Sequence, residues 1–112
     1  MIYVSIVLFA AGAVLGLTML IRWLGQKDAP KTVVYSHGLV GASALVLLII
    51  YSVQHPDHFP KTSLTLFVIA ALGGLYLFFA DQVRKMRPVM IAFIHAALAI
   101  SGFITLLAFA FA

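Results

Sequence analysis

The sequence predicts an all-α membrane protein: an antiparallel bundle of four transmembrane helices made of two tandem helical hairpins. Three observations predict it. Of the 112 residues, 64% are hydrophobic and only 9% charged, whereas soluble domains carry about a quarter charged residues. Four apolar runs are each long enough to cross a hydrocarbon core of about 30 Å, which takes about 20 helical residues. Finally, the second half of the chain repeats the first.

The four spans are placed at Ile2–Leu24, Thr32–Val53, Thr62–Ala80 and Val89–Phe111. The first is read as a span rather than a secretory signal, because it has no basic n-region, its apolar part is too long, and it has a counterpart later in the chain. Breakers and charges mark the loops. Gly25 to Lys31 contains Pro30, Gln54 to Lys61 contains Pro56 and Pro60, and Asp81 to Pro88 is charged and ends in proline.

Lys and Arg divide unevenly among these loops. Arg22, Lys27 and Lys31 flank the first, Arg84, Lys85 and Arg87 lie in the third, and the second has only Lys61. Loops one and three are therefore expected in the cytoplasm and both termini on the outer, periplasmic side of a bacterial inner (plasma) membrane. The net charge of +4 is accounted for by this topology, so no nucleic-acid partner is expected. The absence of cysteine excludes disulfides, thiolate metal sites, iron–sulfur clusters and covalent c-type haem attachment.

A shift of 58, the difference between 95 and 37, aligns residues 5–52 with 63–110 without a gap. Identities include Ser5/Ser63, Phe9/Phe67, Gly16/Gly74, Lys27/Lys85, Pro30/Pro88, His37/His95 and Ser43/Ser101. The chain thus reads as one bundle, 1–112, with repeat one at 2–53 and repeat two at 62–111. Each repeat has two spans, which relates the halves by a pseudo-twofold axis along the membrane normal. Short loops make sequential helices antiparallel neighbours, leaving spans two and four parallel and diagonally opposed.

Within this frame the candidate site is the pair His37 and His95. Polar side chains inside a span are costly and by default mark a functional position facing the protein interior. His37 lies six residues past Lys31 and His95 eight past Arg87, which places both about 9–12 Å from the cytoplasmic edge at 1.5 Å per residue. The face carrying His37 continues with Val40, Gly41 and Ala44, and that of His95 with Leu98, Ala99 and Gly102. Gly16 and Gly74 bring further side-chain-free positions to the same level. Such small residues also serve close helix packing, as in Gly12-x-x-x-Gly16, and a membrane histidine alone often does no more than bond a neighbouring helix.

A four-helix bundle with His37 and His95 on two of its helices resembles the membrane-embedded b-type cytochromes. That resemblance implies one non-covalent haem B, with His37 and His95 as axial ligands and electron transfer as the role, because two strong ligands leave no open iron position. Its anionic propionates would extend toward the cytoplasmic rim, where Lys31 and Arg87 stand. Tyr35 could bond a ligand ring or propionate. Lipid, a redox partner or quinone, and a second copy of the chain are the other expected partners.

The remaining histidines, in His55-Pro56-Asp57-His58, are expected to be solvated loop residues. The aromatic residues Tyr3, Trp23, Tyr35 and Tyr51 sit near span ends, as in an interfacial belt, and Asp81 is expected to be paired at the surface. Two other functions compete. A small multidrug or cation antiporter would need a carboxylate within the membrane, but Asp28, Asp57 and Asp81 all lie at loops or span ends. A structural or anchoring subunit, its histidines tying helices together, fits the same sequence. Haem sensing or trafficking is the remaining variant. No nucleophile–base pair, paired carboxylates or phosphate loop supports enzymatic catalysis.

Overall fold

A computed structural model describes all 112 residues. It contains four helices and no strand: α1 (Ile2–Leu24), α2 (Lys31–Gln54), α3 (Lys61–Gln82) and α4 (Val89–Phe111). All four are long and apolar enough to cross a membrane. Pro30, Pro60 and Pro88 stand at the N-caps of α2, α3 and α4, where a missing N–H leaves no helical bond unmade. The helix boundaries differ from the expected spans by at most two residues. They run out to polar Lys31, Gln54, Lys61 and Gln82, because helical hydrogen bonding continues past the apolar run.

The turn after α1 is a Schellman motif, with Lys27 N–H donating to Arg22 O and Gln26 N–H to Trp23 O. Its left-handed residue is Gln26, at φ 58°, rather than the preceding glycine: Gly25 keeps φ −84°. Arg22 Nε closes the loop by donating to Asp28 O at 3.0 Å.

The helices form a square in which α1 packs on α2 and α4, and α3 on α4 and α2, most closely within each sequential pair. Matching bonds fasten the pairs. Ser5 Oγ donates to Ala44 O at 2.9 Å, and Ser63 Oγ donates to Gly102 O at 2.8 Å. Aromatic rings bridge the α1–α3 diagonal, where Phe9 and Phe67 stack with centroids 3.8 Å apart and planes 3° from parallel. Leu48 and Leu106 are fully buried beside them, with Ile2 completing the cluster. Every one of these contacts except Ile2 has its counterpart 58 residues away. Large apolar side chains such as Val7, Val14, Leu39, Leu72 and Leu75 face outward, where lipid rather than water suits them.

The paired helices are staggered. In the register fixed by Ser5–Ala44 and Gly12–His37, Lys31 lies level with residue 18, six residues short of the end of α1 at Leu24. Likewise Val89 lies level with residue 76, six short of Gln82. Six residues are about 9 Å, and a 23-residue helix is about 35 Å, which together match the 44 Å long axis of the molecule. Loops one and three therefore fold back along the bundle instead of capping it.

This stagger gives the histidines different positions on the two helices of each pair. Counted along α2 or α4 they are close to an end. Measured on α1, the His37 ring lies between Gly12 and Gly16, about 12–18 Å from the end of α1. The imidazoles occupy the middle of the bundle.

Two surface expectations also change. Trp23 is not a belt residue at the lipid boundary: it is 6% exposed, and its indole Nε1 has no hydrogen-bond partner. Nor is Asp81 ion-paired, since its carboxylate accepts a hydrogen bond from Gln82 Nε2 at 2.7 Å. The ion pair is instead Arg87 to Asp28, at 2.6 Å, joining loop three to loop one.

The Asp28–Arg87 pair carries a pH prediction. A hydrogen bond from Arg87, reinforced by its charge, holds the Asp28 carboxyl below its ordinary value of 3.8. A carboxyl depressed in the folded state adds stability above its unfolded pKa, and that contribution is lost as pH falls through the folded value. Asp28 is exposed, so the effect is small and salt-sensitive. Protection of loop-one amides, measured as exchange relative to the intrinsic rate at each pH, should fall at acidic pH or high salt, and D28N should lower it at neutral pH and remove that dependence.

Candidate functional site

α2 and α4 bring His37 and His95 to one level across their diagonal, with ring centroids 6.2 Å apart and ring planes crossed at 81°. Each ring is held by the other helix of its own hairpin. His37 Nδ1 lies 2.8 Å from Gly12 O and His95 Nδ1 lies 2.7 Å from Ala70 O. A carbonyl can only accept, so both Nδ1 atoms carry the proton and donate it. In the neutral imidazole this leaves the lone pair on Nε2, the form in which histidine ligates a metal. Gly12 and Ala70 are themselves 58 residues apart.

Neither Nε2 makes a hydrogen bond, and no hydrogen bond joins the two rings. The one sealed-off side-chain polar atom lacking a partner is Trp23 Nε1. Both histidines are half-buried, and neither Nε2 is among the fully sealed polar atoms.

The glycines at this level serve the histidines directly. A Cβ on Gly16 would come within 2.9 Å of His37 Cε1, and one on Gly74 within 3.1 Å of His95 Cε1. At Gly16 a Cβ would force the ring to shift, whereas at Gly74 the ring would have to give by a few tenths of an ångström. Gly16 and Gly74 thus seat the imidazoles rather than lining an empty slot. Gly41, one turn beyond His37, has nothing within 4 Å of its Cβ direction, and Ala99 is half-buried at the corresponding place.

Ala44 and Gly102 lie farther from the rings, in the closed core. Ala44 is fully buried under the Ser5 bond, and a Cβ on Gly102 would stand 3.3 Å from the Phe67 ring. Tyr35 is exposed, with its ring edge-on to Phe78 at 5.7 Å. Lys31 and Arg87 line a cleft of about 370 Å³ at the loop-one and loop-three end, with Asp28, Asp81, Gln82 and Lys85. Arg87 is already engaged there by Asp28.

Elsewhere, His55 Nδ1 donates to Tyr51 O at 2.9 Å while its ring stacks on Tyr51, and the His58 ring lies 4.6 Å from that of Phe109. The chain contains no cluster of three or more His, Cys, Asp or Glu side chains arranged to hold a metal ion.

Nothing in the residue pattern marked the carbonyls of Gly12 and Ala70, since any residue supplies one. Ser5, Ser63, Phe9 and Phe67 were visible as repeat identities, but only the packing shows that they fasten the half of the bundle nearer the chain termini. No protein-family model, curated protein or solved structure matches the chain.

Proposed function

We propose that the chain is a membrane-embedded b-type cytochrome, holding one haem B between α2 and α4 through His37 and His95. The carrying observation is the 6.2 Å separation of two imidazoles that both donate through Nδ1 and leave Nε2 free. Two rings whose Nε2 atoms face each other across one metal ion, with bonds of about 2.0–2.1 Å, would have centroids about 6.3 Å apart, so the separation is of the right size for a shared metal. The donor set suits low-spin haem iron. Backbone carbonyls behind both rings orient them and raise their basicity, as outer partners of metal-bound histidines do.

Bound haem would supply a one-electron couple; the chain's own residues supply everything else. His37 and His95 ligate, Gly16 and Gly74 admit the rings, and Gly12 and Ala70 fix the tautomer. Lys31 offers a cation at the cleft beside loops one and three, about 9 Å along α2 from His37. Arg87 would have to exchange its Asp28 partner for a propionate to do the same.

The surrounding architecture in this reading is an antiparallel bundle of two duplicated hairpins, related by an axis along the membrane normal. Loops one and three carry most of the Lys and Arg and would face the cytoplasm of a bacterial cell, with both termini outside. The function is electron transfer with a redox protein or quinone.

The bonds from His37 and His95 to backbone carbonyls favour a second reading, in which the histidines only tie helices together within an anchoring subunit. That role uses Nδ1 and leaves both Nε2 atoms without purpose in a costly environment. A visible absorption spectrum separates the two. Purified protein supplied with haem should show a Soret band, with sharp α and β bands on reduction, at one haem per chain; colourless protein supports the anchor.

A further inference from the structure

We propose that the cleft between loops one and three holds the headgroup of one anionic phospholipid, with Lys31 and Lys85 facing its phosphate and its chains lying along the furrow between α2 and α3. The inference goes beyond the haem reading and stands on a different part of the molecule. Lys31 is shared with that reading, whereas Lys85 is not.

The cleft, of about 370 Å³, is lined by the cations Lys31, Lys85 and Arg87 and the carboxylates Asp28 and Asp81. Arg87 and Asp28 neutralise each other. Lys31 and Lys85 are left against Asp81, whose carboxylate accepts from Gln82 and forms no ion pair. One positive charge is therefore in excess, and a phosphodiester group carries one negative charge to meet it.

This end of the molecule departs from the 58-residue repeat that governs the bundle. The counterparts of Asp28, Lys31, Asp81 and Gln82 are Met86, Val89, Trp23 and Leu24. On that side Trp23 is buried, and α1 and α4 pack more closely than α2 and α3. Of two places that the repeat would make alike, one is apolar and filled by an indole, and the other is open and charged. Among the cleft residues only Lys85 has an identical counterpart, Lys27, and the two loops set these lysines differently. The left-handed residue of loop one is Gln26, whereas that of loop three is Lys85, one place later in the repeat. Lys85 lines the cleft and Lys27 does not.

The surface beneath the charges selects a lipid over a soluble anion. Tyr35 and Leu39 follow Lys31 at successive turns of α2, and Phe78 and Leu75 precede Gln82 on the same face of α3. All four are exposed, and the Tyr35 and Phe78 rings meet edge-on with centroids 5.7 Å apart. α2 and α3 are also the least closely packed of the four adjacent pairs. An apolar furrow thus continues from the cleft along the bundle, and cations above apolar surface match a phospholipid at the membrane boundary.

The test is native mass spectrometry of the full chain released from detergent micelles that carry phosphatidylglycerol or phosphatidylethanolamine. Wild type should retain one phosphatidylglycerol per chain and hold phosphatidylethanolamine, which has no net charge, more weakly. Each lysine near the headgroup is worth about fivefold in affinity. K85Q should lose about that factor, and K31Q/K85Q about twentyfold. K27Q removes the same charge outside the cleft and should match wild type. D81N increases the positive excess and should bind about fivefold tighter, a gain that misfolding does not produce.

Equal retention of the two lipids, equal losses in K27Q and K85Q, an unchanged K85Q, or D81N no tighter than wild type overturns the inference. Displacement by inorganic phosphate, where sodium chloride of equal ionic strength does nothing, assigns the cleft to a soluble anion and overturns the lipid. The absorption spectrum is scored separately: colourless protein that retains phosphatidylglycerol defeats the haem reading and leaves this inference standing.

Discussion

Replacing His37 with alanine should eliminate the low-spin six-coordinate spectrum that the proposed haem would give, and H95A should do the same. One remaining imidazole would leave iron without its second strong ligand, five-coordinate or with weakly bound water, so the sharp reduced bands should vanish and haem retention through purification should fall roughly tenfold or more. Loss of fold is not the expected cause. Each histidine contributes one hydrogen bond between helices, worth about 0.6–2 kcal/mol in a membrane. The carbonyls it leaves, Gly12 O and Ala70 O, lie inside helices. Circular dichroism should therefore remain helical while the colour goes. H55A and H58A should retain the wild-type spectrum, because those rings lie on Tyr51 and Phe109 at the opposite end of α2. Persistence of the bands in both H37A and H95A would rule out this pair as the axial ligands.

Phe67→Ala should produce the largest loss of stability. The Phe67 ring is stacked on Phe9 at 3.8 Å, touches the face of Gly102, and belongs to the buried cluster with Ile2, Leu48 and Leu106. In lipid, helix association depends on such van der Waals contact, since an apolar side chain gains little by leaving hydrocarbon. Truncation of a buried aromatic costs about 3–5 kcal/mol in water-soluble cores, and about 2–4 kcal/mol is expected here with the hydrophobic share reduced. The measurement is reversible unfolding in mixed detergent micelles. F9A should lose less, because Phe9 is only half-buried. A variant as stable as wild type would show that the stack does not hold the bundle together.

Much of the architecture was legible in the residues themselves. Hydrocarbon thickness and the absence of water for the backbone force apolar runs of this length into helices. Prolines at 30, 60 and 88 then mark where three of them begin. The repeat was legible too, and it selected His37 and His95 as partners from four histidines. The role of the glycines was legible only in part. Gly16 and Gly74 could be placed at histidine level, but the sequence could not distinguish an open wall from a seat for the ring, since both require a missing Cβ. Nor could it separate Ala44 and Gly102, which belong to the closed core, from Gly41, which faces open space.

By itself the sequence determined four helices long and apolar enough to span a membrane, their loops and a matched histidine pair, because these follow from local hydrophobicity, helix breakers and internal identity. Only the tertiary structure decided the depth of that pair, the protonated nitrogen and the crossing of the ring planes. The physical reason is that each depends on the stagger between neighbouring helices, and stagger is set by side chains meeting across an interface, such as Ser5 on Ala44 and Phe9 on Phe67.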